Sequence, residues 1–218
     1  VLGLCTLAAA MRWLPESLST QAPRRRGEET DPDWRTLGRS LGPLLGLALV
    51  AQFALAMFEA TFALHAQAVL NYGPAEMGAV FVMCGLVMAV FQVGASGLLA
   101  GRVGAMGQIG MGLALMGTSL AVLMVPSRML PVLAVVGLLA LGMALIAPNL
   151  SALISTRGGS RAGTALGAQN AANSLGQASG PLVGGALFVW QMNAPYLLSG
   201  GVLVALALVI GWKALAGR

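Results

Sequence analysis

Beyond residue 40 the chain reads as six apolar runs, at about 41–66, 76–100, 107–126, 129–154, 163–190 and 194–213. Each approaches or exceeds the ~20 residues that a helix needs to cross a bilayer core ~30 Å thick. Short turn-forming breaks separate them: "NYGPAE", "GRVGAMG", "PSR", "STRGGSRAG" and "QMNAP". The runs are apolar on every side, without the alternation of a barrel strand, and hydrocarbon satisfies no backbone polar group. The pattern predicts an all-α polytopic membrane protein, with a six-helix bundle over residues 41–218.

Residues 12–40 differ sharply. They mix Arg12, Arg24, Arg25, Arg26, Arg35 and Arg39 with Glu16, Glu28, Glu29, Asp31 and Asp33, broken by Pro15, Pro23 and Pro32. Such a stretch predicts a solvated loop, taken as residues 15–40. Ahead of it, "VLGLCTLAAAM" is about half of a span. Residues 1–14 therefore read as the end of a preceding transmembrane helix, with the chain beginning inside it.

Composition agrees: 57% of residues are hydrophobic and 9% charged, against about 25% charged in a soluble domain. The net charge of +5 does not point to nucleic acid, because the basic residues fall between the spans. If the 15–40 loop is cytoplasmic, that side also receives Arg102, Arg157, Arg161, Lys213 and Arg218, and the opposite side receives Arg128 alone. This positive-inside asymmetry supports both the orientation and the six-span count. Cys5 and Cys84 lie in apolar runs and have no metal-ligand or disulfide spacing.

The exception within the first run is "ALAMFEATFALH", residues 54–65. Glu59 is its lone charge, at a cost of about 2.5 kcal/mol at the low end for a central acidic residue. Protonation reduces that cost, since desolvation disfavours the charged form. A carboxyl group that can be neutralised can also load and release protons. Gln52, seven residues earlier, shares its face with Ala48, Ala56 and Ala63 nearby, so the stripe is expected to face the bundle interior. The alternative is a neutral glutamic acid hydrogen-bonded to a neighbouring helix as structural glue.

The fifth run carries a second polar stripe, "GTALGAQNAANSLGQASGPLVGGALF". Gln169, Asn173 and Gln177 span an arc of about 80°, with Gly176, Gly180 and Gly184 on or beside it. Glycines at four-residue spacing let another backbone approach closely, and Pro181 loosens the local hydrogen-bond ladder. An ordinary small-residue helix contact explains the glycines as well as gating does. Gln92 and Asn149, beside Pro148, add uncharged polar groups at depth. Twelve methionines, with Phe53, Phe58, Phe62, Phe81 and Phe91, are candidates for an adaptable apolar pocket, though most such residues simply pack or face lipid.

Enzyme chemistry has no residues to carry it. "GASG", residues 94–97, matches the G-x-S-G of rhomboid intramembrane proteases, but the single histidine, His65, falls at the opposite end of the neighbouring span. By helix rise it is on the order of 30 Å from Ser96, which excludes a dyad; His65 reads as an interfacial residue. No P-loop, zinc spacing or paired-acid signature occurs, so no metal or cofactor is expected. A channel would favour rings of like polar groups along a pore; scattered amides and one acid fit a closed binding cavity better.

The layout resembles the C-terminal half of a major facilitator superfamily transporter: end of the sixth helix, basic central loop, helices seven to twelve. Gly176, Gly180, Pro181, Gly184 and Gly185 fit G-x-x-x-G-P-x-x-G-G, the form of the fifth-helix antiporter motif of drug:proton antiporters, here in the repeat-related eleventh. "GLLAGRVGAMG", residues 97–107, is similar to the second-half copy of the family's cytoplasmic loop motif. Gly97, Arg102 and Gly104 match it, and Gly101 stands where the motif has Asp. "FEATFALH", "NYGPAEMGAVF" and "AVFQ" are similar to the seventh and eighth helices of NorA-like multidrug efflux pumps, whose glutamate implicated in proton coupling and drug binding aligns with Glu59. A second acid expected shortly before Pro148 is absent, with Ala144 in its place.

The resemblance implies two six-helix bundles with substrate between them, of which this chain supplies one. The expected partners are the lipid bilayer, a small-molecule substrate, protons and an N-terminal six-helix half; the expected location is a bacterial inner membrane, multi-pass. The function implied is proton-coupled efflux of hydrophobic and cationic small molecules. Glu59 would be the proton site, and Gln52, Phe58, Phe62, Gln92, Gln169, Asn173 and Gln177 the cavity lining. The alternatives are a sugar or metabolite transporter of the same superfamily, or an inert half-transporter.

Overall fold

In the computed structural model, residues 34–100, 103–125 and 128–216 are described, with Arg12 ahead of them; the side chains at 34–37, 92–100 and 214–215 lie outside that description. Contacts divide the chain into Val1–Asp33 and Trp34–Arg218. The predicted truncated span at 1–14 and most of the 15–40 loop fall outside the described residues.

The described residues of the second unit are helical apart from short connections. Its elements are α1 (Trp34–Leu70), α2 (Pro74–Ala100), α3 (Ala105–Val122), α4 (Met129–Gly158), a 3-10 turn (Gly159–Arg161), α5 (Ala162–Trp190) and α6 (Ala194–Ala216). Each apolar run became one helix, and α1 begins at Trp34, inside the stretch read as loop. Among the described residues, five stretches are long and apolar enough to cross a membrane; one of them, Met129–Trp190, contains both α4 and α5.

The breaks work through specific backbone chemistry. Asn71 ends α1 in the left-handed region at φ 53°, which Asn tolerates better than most residues. The Tyr72 N–H then returns to the Ala66 carbonyl at 3.2 Å. Pro74 opens α2, where a missing N–H costs nothing, and the Glu76 carboxylate accepts the Gly73 N–H at 2.9 Å, one arm of a capping box. Gly159, at φ 52°, stops α4 and leads through the 3-10 turn into α5.

α1 packs most extensively on α5, while α3 lies between α4 and α6, and α2 rests on α4. Glycines make these contacts close. A Cβ at Gly176 would stand 2.5 Å from the Leu49 carbonyl oxygen, at Gly180 2.6 Å from that of Phe53, and at Gly184 2.7 Å from the Met57 side chain. The close approach expected of this stripe is thus made against α1. Two further seams join α3 to its neighbours. Gly112 meets Gly142 of α4, where either added Cβ would lie 2.6 Å from the other's carbonyl oxygen, and Gly117 similarly meets Gly200 of α6. Around them lies the core, with Leu44, Phe58, Phe62, Ile109, Leu113, Met116, Leu139, Ile146, Leu150, Tyr196 and Leu203 fully buried. By contrast only 6% of the Pro74–Phe91 span of α2 is buried, and Phe81, Val82, Leu86 and Val90 are exposed on it. So apolar a surface requires hydrocarbon or other protein against it.

Gly185 has nothing within 4 Å of an added Cβ, so it takes no part in the α1–α5 approach. Gly180→Ala is expected to destabilise the full-length protein by about 1–3 kcal/mol, because a backbone oxygen cannot yield as a side chain can. Gly185→Ala is expected to stay within about 0.5 kcal/mol of the unmodified protein. Thermal unfolding of both variants in detergent checks the contrast.

Candidate functional site

The faces of α1 are set by its neighbours. Leu49, Phe53 and Met57 meet the glycines of α5. Val50 and Ala54, with Leu49 and Phe53, line a cavity of about 300 Å³ together with Ser179 of α5 and Leu198, Ser199 and Val202 of α6. Gln52 is two residues from Ala54 on α1, and Gln177 is two residues from Ser179 on α5. Each is therefore turned about 160° away from the residue its helix directs toward α6. Both amides lie on the same side of the α1–α5 seam, opposite α6. Glu59 is within about 20° of Gln52 around α1 and joins that surface. On α2, Cys84 lies toward it.

Burial grades along this surface. Gln169, at the inner end, is buried, and its amide nitrogen donates to the Ser151 hydroxyl of α4 at 3.0 Å. Asn173 and Gln52 are half-buried; Gln177 and Glu59 are exposed. Glu59 makes no hydrogen bond or ion pair among the described residues. The stripe expected to face the bundle interior therefore splits. Ala48 and Ala56 are buried, but Glu59 falls in the arc that α4, α5 and α6 leave open and stands on the bundle surface. The helix-glue alternative lacks the partner it needs among the described residues.

Other expectations are corrected. Phe58 and Phe62 do not line an accessible surface. Each is 1% exposed, and their rings pack on each other with centroids 5.1 Å apart as part of the hydrophobic core. They point toward the core, while the cavity reading needed them beside Glu59. Gln169 likewise spends its amide on Ser151. His65, expected at an interface, is buried at 5% exposure. Pro181 lies on the exposed side of α5, away from the glycine contacts. Gln92 and Gly97 lie in α2 but their surroundings are outside the description, as is Arg102. Gly104 is described as the N-cap of α3, with extended backbone and no side-chain cap.

The sequence reading missed a polar clamp at the inner end of α3 and α4. The Asn149 side-chain nitrogen donates to Gln108 Oε1 at 3.0 Å and to the Leu145 carbonyl at 2.8 Å. Gln108 Nε2 donates in turn to the Val103 carbonyl at 2.9 Å. This chain of amides ties the loop before α3 to α4. Nearby, Arg157 at the end of α4 donates to the Ser40 carbonyl of α1 at 3.1 Å. Gln108 was legible only as a polar residue near a helix start, and nothing in its spacing pointed to Asn149, 41 residues away.

A bundle of apolar helices, closely packed through glycine and bearing one acid and several amides on one surface, is a construction suited to a bilayer. The chain matches the family model of the Major Facilitator Superfamily over residues 1–178 and 44–216, and it belongs to that family. It is 31% identical over 208 residues to multidrug resistance protein 2 of Bacillus subtilis (strain 168), a match covering 92% of this chain and 52% of the relative. Multidrug resistance protein 1 of the same organism is 26% identical over 204 residues, covering 90% and 52%. The quinolone resistance protein NorA of Staphylococcus aureus (strain MRSA252) is 26% identical over 164 residues, covering 75% and 42%. The chain spans about half the length of these relatives.

Asn149→Leu leaves the buried Gln108 oxygen without its partner and is expected to cost about 1–3 kcal/mol. Adding Gln108→Leu should cost less than the sum of the two single changes, since the pair is lost only once. A double-mutant cycle on thermal unfolding measures this coupling.

Proposed function

We propose that the full-length protein is a secondary carrier of a bacterial cell membrane that exports hydrophobic and cationic small molecules in exchange for protons. The observation that carries this reading is the placement of Glu59: a lone carboxylate within a membrane-spanning helix, exposed on the bundle surface that also bears Gln52, Asn173 and Gln177. Lipid tails would leave all four polar groups unsatisfied. A cleft against a second bundle gives them water, substrate and protons instead. The names of the relatives, two multidrug resistance proteins and a quinolone resistance protein, support export of varied small molecules.

In this mechanism Glu59 in its ionised form is the counter-charge for a cationic substrate. Protonation removes the attraction and releases the substrate, so proton and cation compete for one carboxyl group. Gln52, Asn173 and Gln177 offer amide donors and acceptors that orient a ligand without fixing its charge, which suits a carrier of many substrates. Aromatic contact falls to residues other than Phe58 and Phe62. Gln169 holds α5 to α4 and positions the two amides beyond it.

Glu59→Gln in the full-length protein, reconstituted in vesicles with an imposed pH gradient, is the test. Substrate movement driven by the gradient is expected to fall to the level of protein-free vesicles. Exchange of labelled for unlabelled substrate without a gradient is expected to persist for a neutral substrate. Unchanged gradient-driven transport removes Glu59 from the coupling step.

A further inference from the structure

The outer part of the α1–α6 contact holds a second polar group that the proposed carrier mechanism does not use. His65 and Tyr196 are 5% and 1% exposed. Their rings meet edge to face, with centroids 5.7 Å apart and planes at 69°. His65 Nδ1 and the Tyr196 hydroxyl oxygen are both buried with no hydrogen-bond partner among the described residues. The Thr61 hydroxyl, one turn before His65, neighbours that of Tyr196, and its own proton goes to the Met57 carbonyl at 2.8 Å. Its lone pairs remain available to an additional donor.

Buried polar atoms without partners are rare because each keeps its desolvation penalty. Two of them at one ring contact, with a hydroxyl beside them, supply the two to four polar partners that a bridging water requires. Every group around that place is amphoteric: a water, a phenol and a threonine hydroxyl each donate or accept by turning. Neutral His65 accepts at Nδ1 from the water. Protonated His65 donates there to the same water, whose remaining protons turn toward the hydroxyl oxygens. Proton uptake reverses the direction of the bonds and loses none of them.

We propose that His65, Tyr196 and Thr61 form a water-bridged proton-binding site at the α1–α6 contact, distinct from Glu59. On α1 the nearest other ionisable group is Glu59, six residues back and about 120° round the helix. Beyond the end of α1 the next ionisable groups are Tyr72 and Glu76, which act on each other. From α6 the site is faced by Tyr196, and Lys213 lies at the far end. The outer halves of α4 and α5 contribute no ionisable side chain, and Arg128 stands exposed just before α4. The assignment stands whether or not Glu59 couples transport to protons.

The test is nuclear magnetic resonance of the full-length protein in lipid, carrying isotope-labelled histidine, with the His65 signal identified by its loss in His65→Gln. The Nδ1 resonance is expected to move from the unprotonated to the protonated position as pH falls across the range in which the protein stays folded. Tyr196→Phe keeps the ring packing and removes the hydroxyl; it should shift the midpoint of this transition. Glu59→Gln should leave it in place. A resonance that stays unprotonated throughout, or a midpoint unmoved in Tyr196→Phe, overturns the assignment.

Discussion

Helices in hydrocarbon gain nothing by hiding apolar surface from lipid, since the tails are as apolar as leucine; association depends instead on close packing. The bundle meets this constraint by bringing backbones together at glycine. Gly176, Gly180 and Gly184 seat α5 on α1 along two turns, while Gly112 and Gly117 hold α3 to two partners. The latter pair lie about 140° apart around their helix, so one helix closes on α4 with one side and on α6 with another. These seams fix which arcs of each helix remain open, and the rest of the molecule's chemistry is arranged in those arcs.

The polar residues divide accordingly. Gln108, Asn149, Gln169 and Ser151 occupy helix contacts and are bonded to one another in pairs across them. They act as connectors at the inner end, where α3, α4 and α5 converge. Gln52, Asn173, Gln177 and Glu59 lie on the opposite side of the α1–α5 seam from α6 and progress from half-buried to exposed. One set of amides gives the scaffold its register, and the other gives the open surface its polarity. The same residue type serves both purposes, and only the neighbouring helix decides which.

Much of this was legible in the sequence. Apolar runs and their breaks gave the six helices, because chain length against bilayer thickness leaves little choice. The four-residue spacing of Gly176, Gly180 and Gly184 correctly announced a close approach. The facing of individual residues was not legible, because an apolar helix has no polar face to reveal its orientation. Phe58 sits directly before Glu59 in the chain, yet a 100° turn separates a buried ring from an exposed acid. The isolated pairs Gly112–Gly142 and Gly117–Gly200 likewise carry no local signal, since each glycine matters only through a partner many residues away.

The α1–α5 seam has a mechanical corollary. Where backbone meets backbone there is no layer of side chains to change rotamer and absorb a displacement, so sliding one helix along the other brings a carbonyl oxygen against a Cα. The two helices behave as a single strut. Glu59 and Gln177 then keep a constant separation whenever the bundle deforms, and bending is left to places where side chains intervene, such as the thinly covered α2.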